Sequence, residues 1–288
     1  MGDLVPGRAA AIAGSAVAAD QGRKPGAAGR ERLVVEHDEL TGPRLKYYSR
    51  AADVAYWTDL WLTQRELSYA RERRGHLPHQ LRATFGVWVK PGARVLEAGC
   101  GPGCFTVAAH ALGYRAEGLD WSADTIVHLR RLFQSIPWHV GDVRQLQFES
   151  EAFDAVYSPG VCEHFEEGPT AVLEETRRVL RPGGIAVVST PCFNRWLQRH
   201  ASGTSRDVAP PSDPFYQYAF TEAGMARVLA RVGFEVVQIH PYAALETFTR
   251  YAGWAVPLRV KPALGFAMDH LPGTRRWGST CIWVARRC

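Results

Sequence analysis

The chain has 288 residues and carries 34 Lys or Arg against 29 Asp or Glu, a net charge of +5. This length allows one domain with an appendage or two small domains, and it is enough to bury a sizeable core. From Arg250 onward seven Lys or Arg face the single acid Asp269. Such an excess can contact nucleic acid or lipid headgroups, but without a basic block interleaved with aromatic residues it favours a solvated surface.

The cysteines and the N-terminal segment indicate the compartment. Six cysteines are scattered without a C-x-x-C pair, so the sequence predicts neither zinc nor a disulfide framework and fits a cytoplasmic protein. Residues 1–34 are rich in Ala and Gly, and we expect a disordered tail there. Its apolar run Ala9–Ala19 is too short and weak for a membrane span or a secretory signal, so no stable membrane insertion is expected.

Residues 35–90 are predicted to form a helical lid rich in aromatic residues. Its apolar residues recur at roughly helical spacing at Val54, Trp57, Trp61 and Leu67. Core packing accounts for most of these aromatic side chains, and a lid over a bound cation is the functional alternative. Tyr47 and Tyr48 are candidate contacts of that lid, together with Trp57. We place the boundary to the core, residues 91–288, at the turn that precedes the next strand.

The stretch from Arg94 to Asp120 predicts a strand, a glycine turn, a helix and a second strand. Glycine stands at every second position of the turn, at Gly99, Gly101 and Gly103, where it permits positive φ and close approach of a ligand. The layout offers free amide N–H groups at the turn. It also offers a carboxylate at the end of the next strand, which suits a ribose diol.

Two cofactor classes use this layout. A dinucleotide turn reads G-x-G-x-x-G, and its third glycine, counted from Gly99, would stand where this chain has Cys104. The chain instead reads E-x-G-x-G-x-G from Glu97 to Gly103. This spacing resembles motif I of the class I S-adenosylmethionine-dependent methyltransferases and implies S-adenosylmethionine as the cofactor. An NAD(P)-dependent Rossmann oxidoreductase and a non-enzymatic binding protein on the same fold are the alternatives.

Later elements extend the resemblance. The predicted strand Trp138–Val140 runs into Asp142 and Val143; in the family an acid here hydrogen-bonds the adenine amine and the next residue touches the ring. VLRPGG before the strand Ile185–Thr190 is a family marker. The resemblance assigns to the cofactor Glu97, Gly99, Cys100, Gly101, Gly103, Asp120, Trp121, Asp142, Val143 and Ser158.

Seven predicted strands alternate with helices from residue 94 to residue 285. This alternation predicts a doubly wound, mostly parallel seven-stranded α/β sheet of the Rossmann-like methyltransferase type. The last two strands lack a capped helix of the earlier kind between them, which suits the antiparallel final hairpin of the family. A long loop is predicted over Pro191–Pro214.

The segment after the fourth strand, PGVCEHF, carries the candidate catalytic residue. It resembles that of small-molecule methyltransferases of the ubiquinone and menaquinone type, which often ends in Glu-His. His164 is the candidate general base for a hydroxyl acceptor, and a His bonded to backbone is the alternative. Glu163 is a candidate substrate contact or a cap of the following helix. The ubiquinone O-methyltransferases carry a carboxylate where this chain has Gly160, so no metal is expected.

The acceptor is expected to be a small molecule. The fourth-strand segment lacks the Asn/Asp-Pro-Pro-Tyr/Phe pattern of the methyltransferases that act on nucleic-acid bases, so no nucleic-acid partner is expected. Tyr216 and Tyr218 would help the lid enclose a small, partly apolar metabolite, methylated on oxygen or nitrogen. The oligomeric state is not indicated by any pattern in the chain.

Overall fold

A computed structural model describes residues 32–63, 68–201, 212–271 and 273–288. Its strands are β1 (Arg32–Asp38), β2 (Gly42–Tyr48), β3 (Arg94–Ala98), β4 (Arg115–Asp120), β5 (Trp138–Val140), β6 (Phe153–Pro159), β7 (Leu180–Pro191), β8 (Phe215–Phe220), β9 (Phe234–Tyr242) and β10 (Thr280–Arg287). Its helices are α1 (Val54–Leu62), α2 (His79–Arg82), α3 (Phe85–Trp88), α4 (Cys104–Ala111), α5 (Ala123–Leu132), α6 (Thr170–Val179), α7 (Arg195–His200), α8 (Glu222–Val232), α9 (Ala244–Tyr251) and α10 (Lys261–His270).

Seven strands form the central sheet, in the order β5-β4-β3-β6-β7-β10-β9. The first five are mutually parallel, and β10 runs antiparallel between β7 and β9. Alternate residues of each strand enter different cores, as Val95 and Leu96 show, because successive side chains point to opposite faces of a sheet. The doubly wound sheet and its antiparallel final hairpin are thus confirmed.

The parallel direction of β3, β4 and β6 brings their carboxyl ends to one edge of the sheet. Gly99 follows β3, Asp120 ends β4 and Gly160 follows β6. In open α/β sheets ligands bind outside this carboxyl edge. The segment between β9 and β10, residues 243–279, starts and ends at the same edge, since Thr280 is opposite both Pro191 and Tyr242. We call this segment the C-terminal excursion.

Residues 35–90, which were predicted to form a helical lid, are helical only in part. β1 and β2 form an antiparallel hairpin, and β8 pairs with β2 to complete a second, three-stranded sheet. In β2 the alternate residues Leu45 and Tyr47 are buried. This period-two pattern is typical of a strand, whereas the prediction of a helix rested on the aromatic residues. The helices of this segment are α1, α2 and α3, and residues 64–67 at the end of the predicted aromatic helix lie outside the described residues. The predicted tail is too long at residues 32–34, which belong to β1, and its remainder, 1–31, lies outside the described residues.

The predicted loop 191–214 contains a short helix, α7, and its residues 202–211 lie outside the described residues. Asn194 caps α7: its Oδ1 accepts the N–H groups of Trp196 and Leu197 at 3.0 Å each. Its amide nitrogen donates to Thr247 Oγ1 at 2.9 Å and to the Gly278 carbonyl at 3.0 Å. One buried side chain therefore ties α7 to both ends of the C-terminal excursion.

Replacing Asn194 should destabilise the protein more than the loss of an exposed helix cap. Asn194→Ala removes the cap and leaves buried polar groups without partners, so we expect a loss of roughly 2–4 kcal/mol in the free energy of unfolding. Asp53→Ala removes the exposed cap of α1, where Asp53 accepts the Tyr56 N–H at 2.8 Å, and should cost about 1 kcal/mol. Urea unfolding of both variants tests this; equal losses would contradict the role assigned to Asn194.

Candidate functional site

The glycine turn between β3 and α4 satisfies its own amides. Its N–H groups belong to Gly99, Cys100, Gly101 and Gly103, since residue 102 is proline. The first two donate to the Leu119 carbonyl at 2.8 Å each, and the last donates to the Cys100 carbonyl at 2.8 Å. The third donates to the Asp120 carboxylate at 2.9 Å. The expectation of free amides in this turn is therefore wrong, and a pyrophosphate would find no donor between residues 99 and 103.

Two other segments pack directly onto this turn. A Cβ on Gly99 would lie 2.4 Å from the Val161 side chain, and one on Gly101 would lie 2.8 Å from the Trp61 ring. Both glycines also have positive φ, +80° and +48°, which side chains with a Cβ rarely adopt. The absence of side chains at these two glycines thus lets helix α1 and the segment after β6 pack against the turn.

Asp120 is a buried carboxylate at the carboxyl edge of the sheet. One oxygen accepts the Gly101 N–H and the other accepts the Ser122 N–H, each at 2.9 Å. Burial raises the pKa of Asp120 above its usual value, and the amide donors of Ser122, Gly101 and Trp121 oppose the rise. Because a carboxylate oxygen accepts two hydrogen bonds, the group can still receive hydroxyl donors from a ligand.

Glu97 holds the turn from the other side. Its carboxyl accepts both the N–H of Thr106, at 2.9 Å, and the Thr106 hydroxyl, at 2.5 Å. Thr106 is the third residue of α4, so Glu97 satisfies an unpaired amide of the helix N-terminus. Burial raises the pKa of Glu97 to about 8, although the bonds from Thr106 oppose it. Glu97 does not line the cavity, and its predicted contact with the cofactor remains a prediction.

A narrow cavity of about 50 Å³ lies beside Asp120. Its lining is mostly aromatic and glycine: Trp57, Trp61, Gly99, Asp120, Trp121, Gly141, Val143, Gly160, Val161, His164 and Phe165. Trp57 and Trp61 are stacked with ring centroids 5.5 Å apart, and both are buried. The cavity therefore combines one carboxylate with aromatic faces, which attract cations.

His164 lines this cavity and lies between two aromatic rings. Its ring centroid lies 4.8 Å from that of Trp57 and 5.1 Å from that of Tyr216. Nδ1 is 2.8 Å from the Tyr216 carbonyl oxygen. Because a carbonyl only accepts, Nδ1 carries the proton and Nε2 is the basic nitrogen of the neutral ring.

Glu163 is fully buried beside His164. Neither of its carboxyl oxygens has a hydrogen-bond partner among the described residues. Burial raises its pKa to about 8, and the nearby amides of Glu163 and Val161 oppose the rise only partly. The expected role as a helix cap is wrong, because α6 starts at Thr170 after Pro169 and no side chain caps it.

Three further residues assigned to the cofactor, Asp142, Ser158 and Cys100, do not line the cavity. Asp142 pairs with Arg144, with Nη2 and Oδ2 2.8 Å apart, whereas Val143 next to it lines the cavity. Ser158 and Cys100 are buried and are not part of the lining.

The tyrosines that were predicted to contact the ligand do not line the cavity. The Tyr47 hydroxyl is 2.8 Å from that of Tyr251, Tyr48 packs edge-on against Phe215, and the Tyr218 hydroxyl donates to the Glu166 carbonyl at 2.8 Å. These three belong to the small sheet and do not line the cavity. Tyr216 reaches the site only by holding His164.

Phe165 and Val161 line the cavity but were not among the predicted site residues. Both stand in PGVCEHF, next to the Glu-His pair, and an apolar side chain in a sequence carries no chemical signal that would mark a site. Trp61 was read as a core residue of the aromatic helix, although it lies over Gly101. Among the described residues no group of three His, Cys, Asp or Glu is placed to hold a metal ion.

The buried carboxyl of Glu163 should make stability depend on pH. Its pKa is about 8 in the folded state and near 4.5 in the unfolded state, so its stabilising effect is full below pH 4.5 and is lost as pH rises through 8. Glu163→Gln should match the wild type at pH 5 and exceed it above pH 8, by roughly 2–4 kcal/mol.

Urea unfolding at pH 5, 7 and 8.5 measures this difference. Glu166→Gln, at an exposed position close in the chain, is the matched control and should track the wild type at every pH. A difference between Glu163→Gln and the wild type that does not change with pH would contradict the assignment.

Comparison with known proteins agrees with the motif and the fold. The family model described as "Methyltransferase domain" matches residues 96–188. A Mycolicibacterium smegmatis protein named as a probable S-adenosylmethionine-dependent methyltransferase is 31% identical over 180 residues, which cover 61% of this chain and 66% of that protein. The chain thus spans slightly less than two thirds of that relative.

Two more proteins extend the comparison. The demethylmenaquinone methyltransferase of Mycobacterium sp. strain KMS is 31% identical over 170 residues, which cover 52% of this chain and 71% of that protein. The crystal structure of an S-adenosylmethionine-dependent methyltransferase from Mesorhizobium loti shares the fold, with a TM-score of 0.50, 20% identity and coverage of 70% of this chain and 95% of that chain. With the motif at residues 97–103, these similarities establish that the chain belongs to the class I S-adenosylmethionine-dependent methyltransferases.

Proposed function

We propose that the protein transfers a methyl group from S-adenosylmethionine to an oxygen or nitrogen atom of a small, partly apolar metabolite. The observation that carries the proposal is the cavity at the carboxyl edge, where the buried carboxylate of Asp120 faces aromatic rings. The adjacent turn has no amide left for a phosphate. This chemistry suits a nucleoside that bears a sulfonium cation and no phosphate.

Different residues of the cavity would contact different parts of the cofactor. Asp120 would accept hydroxyl groups of the ribose with the lone pairs not used by backbone amides. Val143 supplies an apolar contact for the adenine ring, with Asp142 beside it. Trp57 and Trp61 offer π faces to a cation. Bound S-adenosylmethionine supplies an electrophilic methyl group on its sulfonium sulfur.

The protein's main task is then to position the acceptor and exclude water. Orientation of two reactants can contribute about 7–11 kcal/mol, and no particular side chain is needed for it. A cavity of about 50 Å³ has room for only a few water molecules. We therefore expect the site to widen when the cofactor enters. Outward movement of Trp57 and Trp61 on α1 would provide that space, and their return would close the site.

His164 is the group that would act on a hydroxyl acceptor. The Tyr216 carbonyl holds the proton on Nδ1, so Nε2 is the nitrogen that would take a proton from the attacking hydroxyl. The contacts of its ring with Trp57 and Tyr216 hold the imidazole in one orientation. An amine acceptor that is already neutral would not need this step.

Removing the charge of Asp120 should weaken cofactor binding. A hydrogen bond to a charged group contributes about 1.5–3 kcal/mol, so Asp120→Asn should raise the Kd for S-adenosylhomocysteine by roughly 10–100-fold. Isothermal titration calorimetry measures this, and urea unfolding verifies that the variant is folded. Asp124→Asn, in the exposed first turn of α5, is the matched control and should bind as the wild type does.

Two results would overturn the cofactor assignment. One is unchanged affinity for S-adenosylhomocysteine in a folded Asp120→Asn variant. The other is binding of NADH or NADPH, and not of S-adenosylhomocysteine, by the wild type.

The effect of replacing His164 on turnover should depend on whether the methyl acceptor is a hydroxyl group or a neutral amine. With a hydroxyl acceptor, His164→Gln should lower kcat by roughly 10²–10⁴-fold, while the Kd for S-adenosylhomocysteine changes little. Acceptors can be found by mass spectrometry of metabolite pools, as a mass gain of one methyl group. Trp57→Phe keeps an aromatic contact for the His164 ring and controls for packing. Equal turnover of a hydroxyl acceptor by wild type and His164→Gln would exclude the base.

A further inference from the structure

The C-terminal excursion exposes a cluster of large apolar side chains. In the part of the chain that the structure describes, six such side chains are at least half exposed, and one of these is Val87. The other five lie within 18 residues and are Trp254, Leu258, Val260, Phe266 and Leu271. We call these five the outer apolar surface. Single exposed apolar residues are ordinary, whereas a cluster of this kind marks an interaction site.

Helix α10 turns an apolar face outward. Its buried residues are Met268 and Asp269, whereas Ala263, Phe266 and Ala267 are exposed on the other side. A helix on the surface of a globular protein normally presents charged or polar residues to water. The exposed apolar face of α10 is therefore a candidate contact surface.

Exposed basic residues outnumber acidic ones in the same segment. Arg259, Arg275 and Arg276 are exposed. Asp269 points inward, where its carboxylate accepts the Ala244 N–H at 3.1 Å. In the sequence from residue 247 to the C-terminus it is the single acid, and Glu246, just before this stretch, is paired with Lys261 at 2.9 Å. The three exposed arginines therefore leave the segment with a net positive charge, and we call them the positive rim.

We propose that the outer apolar surface docks on an anionic phospholipid bilayer. Tryptophan and the apolar residues would enter the boundary between headgroups and acyl chains, and the arginines would meet lipid phosphates. No described helix is long and apolar enough to cross a bilayer, so the contact is with one leaflet. A second copy of the chain fits less well, because a twofold interface would bring the same positive rims together.

The position of this surface connects it with the site. The C-terminal excursion starts and ends at the carboxyl edge of the central sheet, where the cavity lies. In this proposal the docked protein holds the carboxyl edge towards the bilayer. The consequence that the acceptor is lipophilic rests on the methyl-transfer function proposed above, whereas the docking itself does not.

Flotation of the full chain with vesicles tests the docking without any methyl transfer. The probes are vesicles of phosphatidylcholine alone and of phosphatidylcholine mixed with phosphatidylglycerol. The wild type should bind the mixed vesicles, and salt should weaken the binding. The double substitution Leu258→Glu, Phe266→Glu should reduce binding roughly tenfold or more. Val87→Glu, at an exposed apolar position outside the cluster, should leave it unchanged.

Affinity for S-adenosylhomocysteine separates the two proposals. The double variant should keep wild-type affinity, which verifies its fold and leaves the proposed function standing whatever the vesicles show. Failure of the wild type to float with mixed vesicles, or equal flotation of wild type and double variant, would overturn the docking. A lipid-free dimer, seen by light scattering, that the double substitution dissociates would also overturn it in favour of a second copy.

Discussion

The site depends on one buried hydrogen bond, between the Asp120 carboxylate at the end of β4 and the Gly101 N–H in the turn after β3. It holds neighbouring parallel strands in a fixed relation beyond the point where the sheet ends. The same carboxylate accepts the Ser122 N–H at the start of α5. Among the described residues that line the cavity Asp120 is the single carboxylate, so the side chain that joins the two strand ends also supplies the acidic group of the cavity.

Around this bond the protein buries several polar groups and satisfies them unequally. Glu97 is satisfied by Thr106 and joins β3 to α4. Glu163 has no partner for either carboxyl oxygen among the described residues, so the neutral form is favoured. A buried polar group without a hydrogen-bond partner lowers the stability of the folded state. Glu163, which lacks such a partner among the described residues, lies next to His164. Glu97 and Glu163 thus differ in their surroundings. Glu97 supports the glycine turn through Thr106, whereas Glu163 is buried and does not line the cavity.

The remaining surfaces of the protein are arranged about the same edge of the sheet. Helix α1 places Trp61 over the glycine turn, and the small sheet supplies the Tyr216 carbonyl that contacts the His164 ring. The C-terminal excursion is tied to α7 by Asn194 and presents its apolar face outside. The proposed cofactor site therefore lies where the parallel strands end, and the segment that carries the proposed membrane contact starts and ends at the same edge.

The sequence alone determined the seven-stranded sheet, the glycine turn and the place of Asp120, because these follow from local patterns: alternating strands and helices, glycine spacing, and an acid at a strand end. Tertiary structure decided what the turn's amides bind, where the aromatic residues of the N-terminal segment go, and which neighbours of His164 line the cavity. These depend on contacts between residues far apart in the chain, such as Gly101 with Trp61 and His164 with Tyr216. Such contacts leave no local pattern, because they arise only when separate elements pack on one another.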